Sequence, residues 1–285
     1  MHNRLTAIIR LLFAKSEASF IDRRWLFRSS SRLDKAFWRK HEGSFQKNQE
    51  QGEWKQVVID NQPYLWPSKA PLLTLSQILS ELLQPNHPHH YDWGITRINK
   101  GDTDLDIGAC EGAFAADCTT RGAQVIMVEP SRLMGKLVHD LFRIRGLPAP
   151  SILPYLISDQ PGSIWFTDSI ENPGASRMSP APEPESYRVD VMTLDGLIER
   201  FLPEGCDFIK CDAEGWDPAI IGSGKSSLQR FKPKIAVTTY HHDGDFTKIS
   251  GLLSPMGYEI KGKGLLFSQD RFRPLMLHAR HTDHG

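Results

Sequence analysis

The pattern of hydrophobic and polar positions differs between the part of the chain before Gly101 and the part after it. Apolar residues at helical spacing over Ala70–Leu83 predict an amphipathic helix in an otherwise irregular region. From Gly101 onward, short apolar runs alternate with longer amphipathic stretches, which is typical of a parallel sheet covered by helices. We therefore divide the chain into a mostly helical N-terminal accessory segment, residues 1–95, and a main domain, residues 96–285.

The main domain is predicted to contain five parallel strands and two closing strands. The five strands are Thr103–Ile107, Gln124–Val128, Ile152–Ile157, Asp207–Cys211 and Ile235–Thr239. The helices between and after them are Ala113–Thr120, Leu133–Arg145, Leu194–Phe201, Pro218–Ile221 and Asp245–Leu253. Tyr258–Lys261 and Pro274–Ala279 look like two strands joined by a loop rather than by a helix. The expected fold class is α/β, a Rossmann-like and mostly parallel seven-stranded sheet with helices on both faces.

Composition and charge limit the binding partners and the cellular compartment that we expect for the protein. The formal net charge is zero, so no overall basic character points to nucleic acid. The four cysteines form no Cys-x-x-Cys motif and no disulfide framework, which fits a reducing cytoplasm. Ten Lys or Arg face four Asp or Glu between Met1 and Glu42, and an apolar stripe runs through residues 5–14. We expect a basic helix there that packs on the main domain or contacts a membrane surface or a protein partner.

Three histidines lie close together in the segment Pro85–His90. Their spacing suggests a metal site, but Pro88 separates them and no acidic or cysteine partner lies at ligand spacing. A loop is therefore the favoured interpretation.

The segment after the first strand of the main domain is the most informative one. Gly108 permits a tight turn, and Gly112 lets the next helix pack near a ligand. A dinucleotide fingerprint has a second glycine, which allows a pyrophosphate to approach, at the position that Cys110 occupies. This favours S-adenosylmethionine, which has no pyrophosphate. The candidate cofactor residues of this loop are Asp106, Gly108, Ala109, Cys110 and Gly112, with Asp106 directed at the methionine portion.

The ends of the second and third strands complete the expected cofactor site. Glu129 follows the second strand, where a carboxylate accepts both ribose hydroxyls in sites of this kind. Pro130 ends that strand, and Ser131 is placed to cap the next helix. Asp159, after the third strand, is a candidate contact of the adenine end.

Acidic and histidine residues follow the fourth and fifth strands. Asp212 and Glu214 are expected beside the reacting methyl group, where they could hold a divalent cation, or one could act as a base. One of them could instead cap the helix near Trp216. His241 is the candidate base or substrate contact, since histidine accepts a proton near neutral pH.

These residues together resemble the FkbM family of methyltransferases. The resemblance covers roughly residues 100–280 and is carried by Asp106–Gly112, Val128–Pro130, Thr193–Asp195, Phe208–Gly215 and Thr239–His241. It implies the fold of a class I methyltransferase and transfer of a methyl group from S-adenosylmethionine to an oxygen, often a hydroxyl of a sugar or of a polyketide-like product. Two positions depart from the family pattern: Cys110 stands where asparagine is common, and Ala213 where valine is usual.

Three functions remain in competition at this point. The first is an S-adenosylmethionine-dependent O-methyltransferase acting on a small-molecule or saccharide acceptor. The second is an NAD-dependent oxidoreductase, and the third is a non-catalytic scaffold protein on the same fold. The sequence provides no candidate for the acceptor.

Overall fold

The computed structural model describes residues 25, 29–173, 176–268 and 271–284. The basic helix expected at residues 5–14 lies outside these ranges. Within them, no helix is long and apolar enough to cross a bilayer.

Among the described residues, the N-terminal segment has two α-helices and a small sheet. Helix α1 (Ser30–Gln46) is followed by strands β1 (Gln49–Gln51), β2 (Trp54–Ile59) and β3 (Gln62–Pro67), and then by helix α2 (Leu72–Leu83). The three strands pair antiparallel in the order β1-β2-β3. The helix predicted at Ala70–Leu83 is thus present, but the prediction of a mostly helical segment missed this sheet.

The main domain is built on a seven-stranded sheet, as predicted. Its strands are β4 (Thr103–Ile107), β5 (Gln124–Val128), β6 (Ser151–Leu153), β11 (Phe208–Cys211), β12 (Lys234–Thr238), β13 (Tyr258–Ser268) and β14 (Arg271–His281). The order is β13-β14-β12-β11-β4-β5-β6, with β14 antiparallel to both of its neighbours and the other pairs parallel. The chain order reverses between β4 and β11, so the carboxyl ends of these two strands form the crevice where such sheets bind ligands.

Helices cover both faces of this sheet. They are α3 (Ala113–Thr120), α4 (Arg132–Ile144), α5 (Leu194–Phe201), α6 (Asp217–Gly222), α7 (Lys225–Phe231) and α8 (Asp245–Leu253). One hydrophobic cluster contains buried residues of α3 and α4, and the other contains those of α5 to α8. The predicted fold class is confirmed. Helix α7 was not predicted.

The predicted third strand, Ile152–Ile157, is two strands in the structure. β6 belongs to the large sheet, whereas β7 (Tyr155–Ile157) begins a second sheet after Pro154. That sheet also contains β8 (Gly162–Thr167), β9 (Arg177–Ser179) and β10 (Tyr187–Met192), in the order β7-β10-β8-β9. Proline lacks the N–H that an uninterrupted ladder needs, which explains the break.

The N-terminal segment shares its core with the main domain. Phe45, Trp66 and Leu79 lie in the same hydrophobic cluster as Leu137 of α4. The indole N–H of Trp54 also donates to Asp140 Oδ2 at 2.8 Å. The segment therefore packs directly on α3 and α4, and it reaches the edge of the sheet where the candidate site lies.

Candidate active site

The glycine loop between β4 and α3 has two backbone positions that a larger residue could not fill. Gly108 has φ +74°, and a Cβ there would overlap the carbonyl oxygen of Asp212. Gly112 has φ +72°, and its Cβ would lie 2.7 Å from Cγ2 of Val138 on α4. Both glycines are thus required by packing. Gly108 in particular lets the loops after β4 and β11 approach each other.

A cavity of about 700 Å³ opens at the carboxyl edge of the sheet. The predicted site residues that line it are Gly108, Cys110, Glu129, Pro130, Ser131, Asp212 and Glu214. Its outer wall comes from the second sheet, through residues such as Ile164, Phe166 and Met178. Asp106, Ala109, Gly112, Asp159 and His241 are not among the residues that line this cavity.

Glu129 is a polar residue of the cavity wall whose carboxylate is held by the backbone on two sides. Its side chain is buried, and its two oxygens accept the backbone N–H groups of Cys110 and Ser131, each at 2.8 Å. Burial raises the pKa of Glu129 to about 7, against the two N–H donors that favour the ionised form. Each carboxylate oxygen has a second lone pair, so Glu129 can still accept two hydroxyl groups from a ligand. Ser131 caps α4, as predicted, by accepting from Met134 N–H at 3.0 Å.

Asp106 is linked to the glycine loop through Lys210 and is not one of the residues that line the cavity. It is fully buried, and Lys210 Nζ donates both to its Oδ1 and to the carbonyl oxygen of Gly108, each at 2.8 Å. Burial raises the pKa of Asp106, and the charge of Lys210 opposes that rise. Asp106 therefore supports the glycine loop through Lys210, and an action of its carboxylate on the methionine portion, directly or through water, stays a prediction.

Asp159 is likewise not one of the residues that line the cavity. Its side chain is exposed and accepts a hydrogen bond from Ser158 Oγ at 3.0 Å. Its two neighbours, Ser158 and Gln160, line the cavity instead. A contact between Asp159 and an adenine ring stays a prediction.

Asp212 is surrounded by hydrogen-bond donors. Tyr91 Oη donates to its Oδ2 at 2.6 Å, while Thr238 Oγ1 and His241 Nε2 lie 3.2 and 3.4 Å from its Oδ1. Burial alone raises the pKa of Asp212, but the hydrogen bond from His241 and the charges of His89 and Lys210 outweigh it. The pKa therefore lies well below the usual range, and the side chain is ionised.

His241 lies between two carboxylates. Its Nε2 faces Asp212, and its Nδ1 lies 3.7 Å from Oε2 of Glu214, whose side chain is largely exposed. Burial lowers the pKa of His241, but the hydrogen bond and charge of Asp212 outweigh this and raise it. Neither Asp212 nor Glu214 caps the helix near Trp216, which was the alternative role considered for them. Asp217 accepts the N–H groups of Ala213 and Gly215 in that turn.

Each histidine of the Pro85–His90 loop has a polar partner within the protein. His87 Nε2 lies 3.1 Å from Asp34, His89 Nδ1 lies 2.9 Å from Glu81, and His90 Nδ1 lies 3.0 Å from the carbonyl oxygen of Glu81. Across the described residues, no group of three or more His, Cys, Asp or Glu side chains is arranged to hold a metal ion. Binding of a divalent cation by the pair Asp212 and Glu214 stays a prediction.

Four residues of this region were not identified from the sequence: Tyr91, His89, Lys210 and Thr238. Lys210 lies within the motif that also contains Asp212, so its position was visible, although its role was not. Tyr91 and His89 lie in the N-terminal segment, and nothing in their local sequence indicates that Tyr91 contacts Asp212 or that the charge of His89 acts on it.

Comparison with known proteins points to one family. A sequence profile described as the methyltransferase FkbM domain matches residues 106–260. No curated protein matches the chain at a significant level.

Solved structures resemble the chain more distantly. The methyltransferase FkbM of Methylobacillus flagellatus is 18% identical over 74% of this chain and 56% of its own, with a TM-score of 0.48. A putative SAM-dependent methyltransferase of Streptococcus mutans is 12% identical over 81% of this chain and 56% of its own, with a TM-score of 0.47. This chain therefore spans little more than half the length of either protein.

Proposed function

Because this chain belongs to the FkbM methyltransferase family, we propose that it transfers a methyl group from S-adenosylmethionine to a hydroxyl oxygen of a small-molecule or saccharide acceptor. The observation that carries the proposal is the position of Glu129. Its carboxylate faces the cavity, held by the glycine loop on one side and by the start of α4 on the other. A carboxylate fixed in this way suits the two hydroxyls of a ribose.

The electrostatics of the cavity fit the same cofactor. The sulfonium of S-adenosylmethionine is a cation, and the carboxylates of Asp212 and Glu214 line the cavity near Gly108. When bound, the cofactor supplies an electrophilic methyl carbon, whose bond to sulfur breaks as the acceptor oxygen attacks it.

We assign the proton that the acceptor hydroxyl loses to His241, which lies beside the cavity-lining residues Asp212 and Glu214. Asp212 faces its Nε2, which favours the tautomer with hydrogen on that nitrogen. The lone pair of Nδ1 is then available to accept a proton. Because a protonated His241 cannot act as a base, the rate should rise with pH through its pKa.

The two competing functions fit the geometry less well. In an NAD-binding loop, free backbone N–H groups face the pyrophosphate, whereas here the N–H of Cys110 donates to Glu129. A scaffold protein would need neither an ionised Asp212 nor a histidine oriented by it. These features favour a methyltransferase over both alternatives.

Binding and turnover can be tested separately. Calorimetric titration with S-adenosylmethionine, S-adenosylhomocysteine and NADH should give saturable binding of the first two and none of the third. Methyl-labelled S-adenosylmethionine added with panels of hydroxylated small molecules and saccharides should then transfer label to an oxygen. If the folded protein does not bind S-adenosylmethionine at millimolar concentration, the proposal fails. Binding without transfer to any acceptor would favour the scaffold alternative.

A further inference from the structure

The hydroxyl that lies closest to Asp212 comes from the N-terminal segment. Tyr91 precedes the matched family region by 15 residues, yet its Oη donates to Asp212 Oδ2 at 2.6 Å. The ring of Tyr91 is buried and packs edge-on against Phe114 of α3, with the centroids 5.5 Å apart. Packing therefore holds this hydroxyl in one place.

The two oxygens of Asp212 have different surroundings. Oδ2 accepts from Tyr91, while Oδ1 faces both Thr238 and His241. The hydroxyl of Thr238 has a single proton, and it can donate this proton either to Asp212 or to Asp217. Its Oγ1 lies 3.1 Å from Asp217 Oδ1. The hydrogen bond from Tyr91 thus holds Asp212 independently of how Thr238 directs its proton.

Fixing Oδ2 has a consequence for the other oxygen. A carboxylate that is free to rotate would exchange its two oxygens in front of His241. With Oδ2 tied to Tyr91, Oδ1 stays directed at Nε2 of His241, and the lone pair of Nδ1 stays on the side away from Asp212.

We propose that Tyr91 is a positioning residue of the active site, whose hydroxyl holds Asp212 so that Asp212 in turn orients His241 for proton transfer. The inference rests on the proposed methyltransferase function for its chemical meaning. It makes the N-terminal segment a functional part of the site and not only a packing partner of the main domain.

Loss of the Tyr91 hydroxyl has a predictable effect on His241. The charged groups that act on His241 are Asp212, Glu214 and Asp217. Without the donor on Oδ2, the negative charge of Asp212 is less dispersed and attracts a protonated His241 more strongly. The pKa of His241 should therefore rise further in Tyr91→Phe.

Two cations also act on Asp212, namely His89, which is paired with Glu81, and Lys210. The substitution leaves both in place. The shift in His241 then reports the loss of the hydroxyl and not the loss of a charge.

The test is a titration of the histidine side chains by NMR in the full-length protein. Ring nitrogens labelled with ¹⁵N report both the protonation and the tautomer of each histidine, and the signal that disappears in His241→Gln assigns His241. Tyr91→Phe keeps the ring and removes one oxygen. Tyr258→Phe is the matched control, because it also removes a buried hydroxyl, one that donates to the carbonyl oxygen of Leu228 away from the site.

We expect the pKa of His241 to rise by about 0.5 in Tyr91→Phe, roughly a threefold change in its protonation constant, and to stay unchanged in Tyr258→Phe. If His241 titrates identically in Tyr91→Phe and wild type, with equal thermal stability, the inference is overturned. An equal shift in both variants would also overturn it. S-adenosylmethionine binding is measured on the same samples, so that absence of binding refutes the methyltransferase proposal while the His241 result stands separately.

Discussion

Replacing Glu129 with alanine removes the two ligand-facing lone pairs that the ribose hydroxyls are proposed to use. Hydrogen bonds to a charged group contribute about 1.5–3 kcal/mol each, so two of them amount to about 3–6 kcal/mol. Water can enter the space left by the side chain and satisfy the hydroxyls in part, which favours the lower value. A loss of about 3 kcal/mol corresponds to weaker binding on the order of a hundredfold.

The pH dependence of binding gives an independent signature of Glu129. Its pKa is raised by burial to about 7, so below pH 7 the carboxyl is mostly protonated in the free protein. That proton must leave before both oxygens can accept hydroxyls. Affinity should therefore fall by about tenfold for each pH unit below 7 and be constant above it.

The assay is calorimetric titration with 5′-methylthioadenosine between pH 5.5 and 8.5. This probe contains the adenosine and the ribose hydroxyls but no amino or carboxyl group that titrates in this range. Glu199→Ala, at an exposed position of α5, is the matched control and should behave as wild type. The reasoning is refuted if folded Glu129→Ala binds within threefold of wild type, or if the wild-type affinity is flat across this range.

Three further predictions concern stability, measured by urea unfolding. Gly108→Ala should lower the free energy of unfolding by about 2 kcal/mol or more, since its φ is +74° and the new Cβ meets the carbonyl oxygen of Asp212; a loss below 1 kcal/mol would contradict this. Asp104 is buried, and burial raises its pKa to about 7. A carboxyl with a raised folded-state pKa favours the folded state only while protonated, so wild type should lose about 3 kcal/mol between pH 5 and 8. Asp104→Asn should lack that loss, and equal slopes in the two proteins would disprove the assignment. Lys210→Met should cost about 3–5 kcal/mol, because it leaves Asp106 buried without its partner. Adding Asp106→Asn should recover part of the loss, and no recovery would mean that the pair is not coupled.

The large sheet was predictable because its strands have strong local signals. The bounds of β4 and β5 agree residue by residue with the sequence prediction, since β5 is a short apolar run that ends before Pro130 and β4 ends at the glycine loop. The glycine loop after β4 could be predicted from the sequence equally well. Parallel strands buried on both faces give continuous apolar runs, which are easy to separate from amphipathic helices.

The two smaller sheets were missed for a different reason. β2 and β3 pair antiparallel around the turn Asp60–Asn61, where both residues have positive φ. That is hairpin geometry, but without the Asn-Gly or Asp-Gly pair that usually signals it. β8 and β10 pair across a connection that contains β9, so their partnership depends on contacts distant in sequence.

The role of Asp106 shows how topology could have improved the prediction. Asp106 and Lys210 are each one residue before the end of a predicted strand, and in the structure they are register partners on the adjacent parallel strands β4 and β11. In a sheet that reverses its order at these two strands, residues at the same distance from the edge lie side by side. The sequence therefore contained enough information to pair Asp106 with Lys210 once the strand order was assumed.

The contact between Tyr91 and Asp212, in contrast, could not be predicted from the strand order. It joins residues 121 positions apart, and one of them lies in an irregular loop with no periodicity to place it. Strand order says which residues meet within the sheet, but it says nothing about the segment that packs against its edge. For this reason Gly108, Cys110 and Glu129 could be predicted from the sequence to lie together at the cavity, whereas the contact of Tyr91 with Asp212 required the structure.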